Sequence, residues 1–303
     1  MTAVVIPALP TRRIPLNAKW QTLKVHARYS HRDSCVFFKH NGQAYLSYGY
    51  QYGGNVLPEL WRSADGIDWH LVNGALPYQD FAPATSFGGD IVAVGDGVWQ
   101  STDGGASFTQ VASSLPFTVS ESTNFTWRLL ADGGTLMLFA KDRIWHTTDL
   151  ENWSDVLLPW ENRQNAGVLK HRGKWFILAG NSGVPGSHGT RFNDVWAATD
   201  PLDAEAWQQI AASAPWAARQ WPSVCSHSGH IVMVAGYNGT TNFNDTWISE
   251  DGVSWQQVST SPAYSKRHYV TLLSMHGRLI LQNGNQNPNV GETVNDVLEL
   301  IPA

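Results

Sequence analysis

Arg219 to Val258 reads RQWPSVCSHSGHIVMVAGYNGTTNFNDTWISEDGVSWQQV, and its punctuation divides it into four short strands. An apolar run, Pro222 to Cys225, reaches a turn at Ser228-Gly229, and a second run, His230 to Ala235, ends in Gly236-Tyr237. A polar loop, Asn238 to Asn244, leads into Asp245-Thr246-Trp247, and a tight turn at Glu250-Asp251-Gly252 delivers Trp255 to Val258. Short apolar runs bounded by Gly, Asn and Asp are strand signals. The stretch therefore predicts strands a, b, c and d of one antiparallel sheet.

Working outward, the unit recurs along the chain. Its d strands begin at Trp20, Trp69, Phe108, Trp153, Trp207 and Trp255, and its c strands centre on Trp61, Trp99, Trp145, Trp196, Trp247 and Leu298. Both series have six members. A period of roughly 40 to 55 residues with four strands each is the mark of a β-propeller. Trp20 to Leu23 supplies a d strand with nothing before it, while Arg267 to Leu300 supplies a, b and c strands with no d strand after them. Pairing the two closes the ring and removes an unpaired edge. The expectation is an all-β, six-bladed propeller over residues 18–303, preceded by an extended Pro-rich arm over 1–17 that could anchor the ring to other proteins.

Composition narrows the function. The chain has 303 residues, a formal charge of −5 and no Lys/Arg run, so the counterion release that drives nucleic-acid binding is missing. No stretch approaches 18 apolar residues, and Met1 to Trp20 lacks the unbroken apolar segment of a cleaved leader. Cys35 and Cys225, the two cysteines, fall in innermost strands of different units and read as buried free thiols. No zinc spacing, P-loop, nucleophile elbow or dinucleotide fingerprint occurs, so no cofactor and no metal is expected.

Four units share a tighter register. Arg32, Arg163, Arg219 and Arg267 each precede a turn glycine by ten residues (Gly42, Gly173, Gly229, Gly277), and seven residues later comes Gly49, Gly180, Gly236 or Gly284. Three of these units continue to Asn193-Asp-Val-Trp196, Asn244-Asp-Thr-Trp247 and Asn295-Asp-Val-Leu298. This pattern resembles the kelch repeat, with its double glycine reduced to Gly-Tyr or Gly-Asn. Ser101-Thr-Asp103-Gly-Gly105-Ala-Ser-Phe108 resembles the Asp-box of sialidases, and Ser63 to Trp69 and Ser249 to Trp255 are versions one residue shorter. Thr148-Asp149 with Trp153 and Thr199-Asp200 with Trp207 are looser versions. In such a box the Asp accepts from turn N–H groups, the Gly takes positive φ and the aromatic pins the turn. The combination is similar to propellers of bacteriophage tails. That resemblance implies a virion protein that contacts a host-surface glycan or protein. A sialidase-like glycosidase acting on an acidic sugar and a kelch-type adaptor are the two other readings.

In a four-stranded blade the d–a and b–c connections share one face. Its b–c loops are long in units one, four, five and six and short in two and three, an asymmetric mouth suited to a ligand. Arg32, Arg163, Arg219 and Arg267 stand there as a cationic ring for an acidic group, or else as ties from the start of each blade to neighbouring carbonyls. With them the candidate ligand residues are Tyr48, Tyr50, Tyr52, His188, Arg191, Trp221, Tyr237 and Tyr264. No catalytic residue is assigned. Tyr264 or Tyr269 could stand for a sialidase nucleophile, with Glu161 and Asp33 the nearest carboxylates.

Overall fold

In the computed structural model, residues 14–51, 53–118, 127–160, 162–183, 189–287 and 292–303 are described. The unit quoted above forms strands Ser223–His227, His230–Val234, Thr246–Ser249 and Trp255–Gln257, antiparallel and in the order a-b-c-d. Five blades follow this order, with innermost strands Val36–His40, Ala84–Phe87, Arg128–Asp132, Gly167–His171 and Ser223–His227. Strand b lies between a and c and between two neighbouring sheets. Its residues are therefore buried on both faces, as in Ile231-Val232-Met233-Val234, each 0% exposed. Six apolar clusters fill the spaces between adjacent blades.

The sixth blade is completed from the other end of the chain. Thr271–Met275, Arg278–Gln282 and Val297–Pro302 are its a, b and c strands, and Asn17–Lys24 is its d strand. The register pairs Trp20 with Leu300 and Ala18 with Pro302. Ser259–Thr260 then adds a fifth, parallel strand outside Asn17 and Ala18. The segment expected as an arm is part of this junction from Ile14 onward: Ile14 is 8% exposed and packs in the core beside Tyr264. Residues 1–13 lie outside the described residues.

The c–d turns show why Ser, Asp and Gly recur. In blade 1 the Asp65 carboxylate accepts from the N–H groups of Ile67 and Asp68 at 2.8 Å, while Ser63 Oγ accepts from Gly66 N–H at 2.8 Å. Blade 5 repeats this with Ser249, Asp251 and Gly252. Gly66 and Gly105 have positive φ and touch the neighbouring blade, where a Cβ would lie 2.4 Å from Leu273 and 2.2 Å from Leu60. In blade 3 the hydroxyl partner of Asp149 is Thr147 and not Thr148, because the side chain two residues before the Asp faces the turn.

On the tight-turn face, histidines ending strand a clasp the next blade: His40 to Ser86 at 2.9 Å, His171 to Ser226 at 2.8 Å and His227 to Ser274 at 2.8 Å. Burial lowers all three pKa values, that of His227 to about 4, and lowers His268 to about 3. The unfolded chain takes up these protons near pH 6.5 and the folded chain only at lower pH, so acid favours unfolding. Asp33 opposes this, its burial-raised pKa of about 6 favouring the fold as pH falls. It is one group against four rings. The expected outcome is a net loss on the order of 2 kcal/mol between about pH 6.5 and 4, read from urea midpoints. His227→Gln should flatten part of that slope, and a flat wild-type profile would refute it.

Both cysteines are free, and burial pushes each thiol up to about 12. No helix among the described residues is long and apolar enough to cross a membrane.

Candidate functional site

Arg32, Arg163, Arg219 and Arg267 stand four residues before the innermost strands of blades 1, 4, 5 and 6 and are 0%, 5%, 0% and 1% exposed. Each Nη1 donates to the carbonyl sixteen residues on: Tyr48 at 3.2 Å, Ala179 at 2.8 Å, Ala235 at 2.9 Å and Asn283 at 3.1 Å. Those four acceptors all have left-handed φ, between 53° and 61°, a conformation that non-glycine residues hold only at a cost. The glycine after each continues the turn, and at Gly180 a Cβ would fall 2.5 Å from the Gln164 carbonyl.

The same guanidinium groups meet carboxylates from the start of strand c. Asp194, Asp245 and Asp296 are held bidentately at 2.5–2.9 Å, and Glu59 by a single contact of 2.6 Å. The indoles of Trp61, Trp196 and Trp247 donate to Glu59, Asp194 and Asp245, each at 2.8 Å. Burial pushes the Asp194 carboxyl up, but the hydrogen bonds and charge of Arg163, with Trp196 and Gln209, hold it below the usual range. The Asn before each Asp closes the d–a loop, as Asn295 does by donating to Tyr29 O at 2.7 Å. Ligand binding by the four arginines is therefore corrected: each buried guanidinium is taken up by an ion pair, because a desolvated guanidinium needs a carboxylate, and the carboxylate itself is buried at Asp194 and partly exposed at Glu59, Asp245 and Asp296.

The other candidates separate. Tyr48 is 0% exposed with its hydroxyl on the Tyr78 carbonyl, and Tyr264 is 2% exposed with its hydroxyl on the Asp245 carbonyl, so both are core. Tyr50 is half-exposed, on a small hairpin bridged to Asp33. Tyr237 and Trp221 stack at 5.9 Å, and the Arg191 guanidinium lies 5.9 Å from the Tyr237 ring. Tyr52, His188 and Glu161 lie outside the described residues.

The residue two positions after each ring arginine is what the structure brings to the mouth. Ser34, Asn165, Trp221 and Tyr269 have φ of 54°, 57°, 58° and 53°. The left-handed kink turns the backbone from the blade start into strand a. Trp221 stacks 4.8 Å from both His268 and Tyr269, and the Tyr269 hydroxyl donates to Asn165 Oδ1 at 3.3 Å. Arg128 comes from blade 3, opposite blade 6 in the ring, and lines the same channel as Trp221 and Tyr269. Burial raises the Tyr269 pKa well above its usual value and lowers that of Arg128. Asp33 accepts from Asn285 Nδ2 at 2.8 Å, and burial pushes its carboxyl up to about 6. Below this cluster runs a channel of about 590 Å³, lined by the innermost strands of all six blades down to Lys39 and Lys170.

Sequence reasoning missed Arg128 and Asn165. Asn165 had a usable signal, since it shares its place after Arg163 with Trp221 after Arg219. Arg128 had a weaker one, a lone cation in an otherwise apolar innermost run. Among the described residues no three His, Cys, Asp or Glu side chains gather as a metal site requires.

No protein-family model and no curated protein matches the chain. Among solved structures, one described as "Structure of YjhT" aligns with a TM-score of 0.70, covering 92% of this chain and 96% of that chain at 14% identity. The likeness is one of fold. It places this chain among six-bladed propellers and leaves its ligand to be argued from its own residues.

Proposed function

We propose that this protein is a binding module that holds a host-surface glycan at the long-loop end of its channel. One observation carries the reading: Arg128, Asn165, Trp221 and Tyr269, from four different blades, gather at the central channel, where Tyr269 touches Trp221 and Asn165 and Arg128 shares the lining. A guanidinium suits a carboxylate or sulfate, the amide and phenol suit hydroxyls, and the half-buried indole offers an apolar edge. A setting on a bacteriophage tail, with the segment before Ile14 meeting other tail proteins, is supported by the resemblance of the repeats. Immunolabelling of purified particles tests that setting.

The binding reading is tested on a printed panel of neutral and acidic oligosaccharides. Wild type is expected to retain an acidic glycan, Arg128→Gln to lose at least about tenfold in affinity, and Tyr269→Phe to lose less. A blank panel would move the reading to a protein partner. Release of sugar from the bound glycan would make it a hydrolase.

A further inference from the structure

Among the described residues, each arginine that is wholly or partly buried outside the channel faces a carboxylate, except Arg191: the four ring arginines, Arg143 and Arg278 all do. Arg191 stands in the long b–c loop of blade 4, its backbone bridged to Asn181, whose Oδ1 accepts from Asn165 Nδ2 at 2.7 Å. Its side chain is partly exposed, and its Nε is buried without a hydrogen-bond partner. The guanidinium is nonetheless held in place. One of its faces lies on the b–c loop of blade 5, where a Cβ on Gly239 would fall 2.5, 2.6 and 2.7 Å from Cζ, Nη2 and Nη1. Three near-equal distances mean contact across the plane, and only glycine, here at φ +101°, leaves room for it. The Tyr237 ring, 5.9 Å away, adds a cation–π contact. With one face covered and Nε enclosed, the edge bearing the two Nη groups is what the side chain presents to solvent. A cation fixed and partly desolvated without a counter-charge calls for an anion from outside.

We propose that Arg191 is a second anion subsite of the mouth, its Nη edge taking a carboxylate or sulfate of a glycan whose other acidic group meets Arg128. Tyr237 stacks on Trp221, and Trp221 lines the channel together with Arg128, so the two cations are joined through one pair of rings. The planar Nη edge matches two oxygens of an acidic group bidentately, which a single hydroxyl does not. The inference rests on the glycan-binding reading above and adds the number of acidic groups that are read.

The test uses oligosaccharides of one backbone and length that carry one acidic group or two, the second placed on each residue in turn. One series bears uronates and the other sulfates, and each member is titrated calorimetrically against wild type, Arg191→Gln and Arg191→Lys. Wild type is expected to prefer a doubly acidic member over its singly acidic parent by at least about tenfold, and the series that shows this names the acid. Arg191→Gln should bind parent and doubly acidic member alike. Arg191→Lys, which keeps the charge and loses the flat edge, should fall between the two. A wild type that holds the singly acidic parent and gains nothing from a second acid at any position would overturn the subsite and leave the glycan reading standing. That comparison needs no variant to fold. A preference that survives in Arg191→Gln would overturn it as well. A wild-type protein that binds no member of either series removes the glycan reading and this proposal together.

Discussion

Replacing Arg219 with alanine is expected to cost about 3–5 kcal/mol of stability, a large share of the 5–15 kcal/mol that holds a typical domain together. The guanidinium is 0% exposed and satisfies the Ala235 carbonyl, both oxygens of Asp245 and the Ala217 carbonyl. Its loss leaves a carboxylate that is only 17% exposed without its cation, and an orphaned carbonyl at a left-handed turn. Asp245→Ala should cost a similar amount by stranding the cation and the Trp247 indole. The double variant Arg219→Met/Asp245→Leu should recover much of the loss, since a buried pair replaced as a unit by apolar groups is often neutral. Urea titrations of the four proteins measure this cycle. An Arg219→Ala protein as stable as wild type would mean the guanidinium is hydrated and free for ligand after all.

Trp20→Ala is expected to cost about 3–5 kcal/mol and to change the state of association as well. Trp20 is 2% exposed, donates to Thr246 Oγ1 at 3.2 Å and meets the Tyr264 ring edge-on at 5.5 Å. It anchors the strand that closes the ring. Once that strand detaches, the backbone of Val297–Pro302 becomes an open edge able to pair with another chain. Trp69 in blade 1 is the control: it is 1% exposed and bonded to Gln282, but its strand is continuous with its own blade. Trp69→Ala should destabilise to a similar degree and elute with wild type on size-exclusion chromatography, whereas Trp20→Ala should form larger species. Identical elution of the two would refute the role of the closing strand.

The architecture was legible because each strand carries its own punctuation, and an aromatic residue recurs on strand d in every unit and on strand c in all but the sixth. The arginines were legible as a register but not as ion pairs. Their carboxylates stand 27, 31, 26 and 29 residues downstream, a separation that varies with each b–c loop. Only the sheet order, which lays the start of strand c beside the start of strand a, joins the two motifs.

The two ends of the described chain meet at the outer rim of blade 6, where the Ala303 amide donates to the Asn17 carbonyl at 3.3 Å. A short linker can therefore join them, and a new cut can be made at a tight turn such as Gly133-Gly134, where a Cβ would meet nothing within 4 Å. Such a circular permutant moves the seam to another blade while every blade keeps its strands. The ring itself has no first blade; only the chain does.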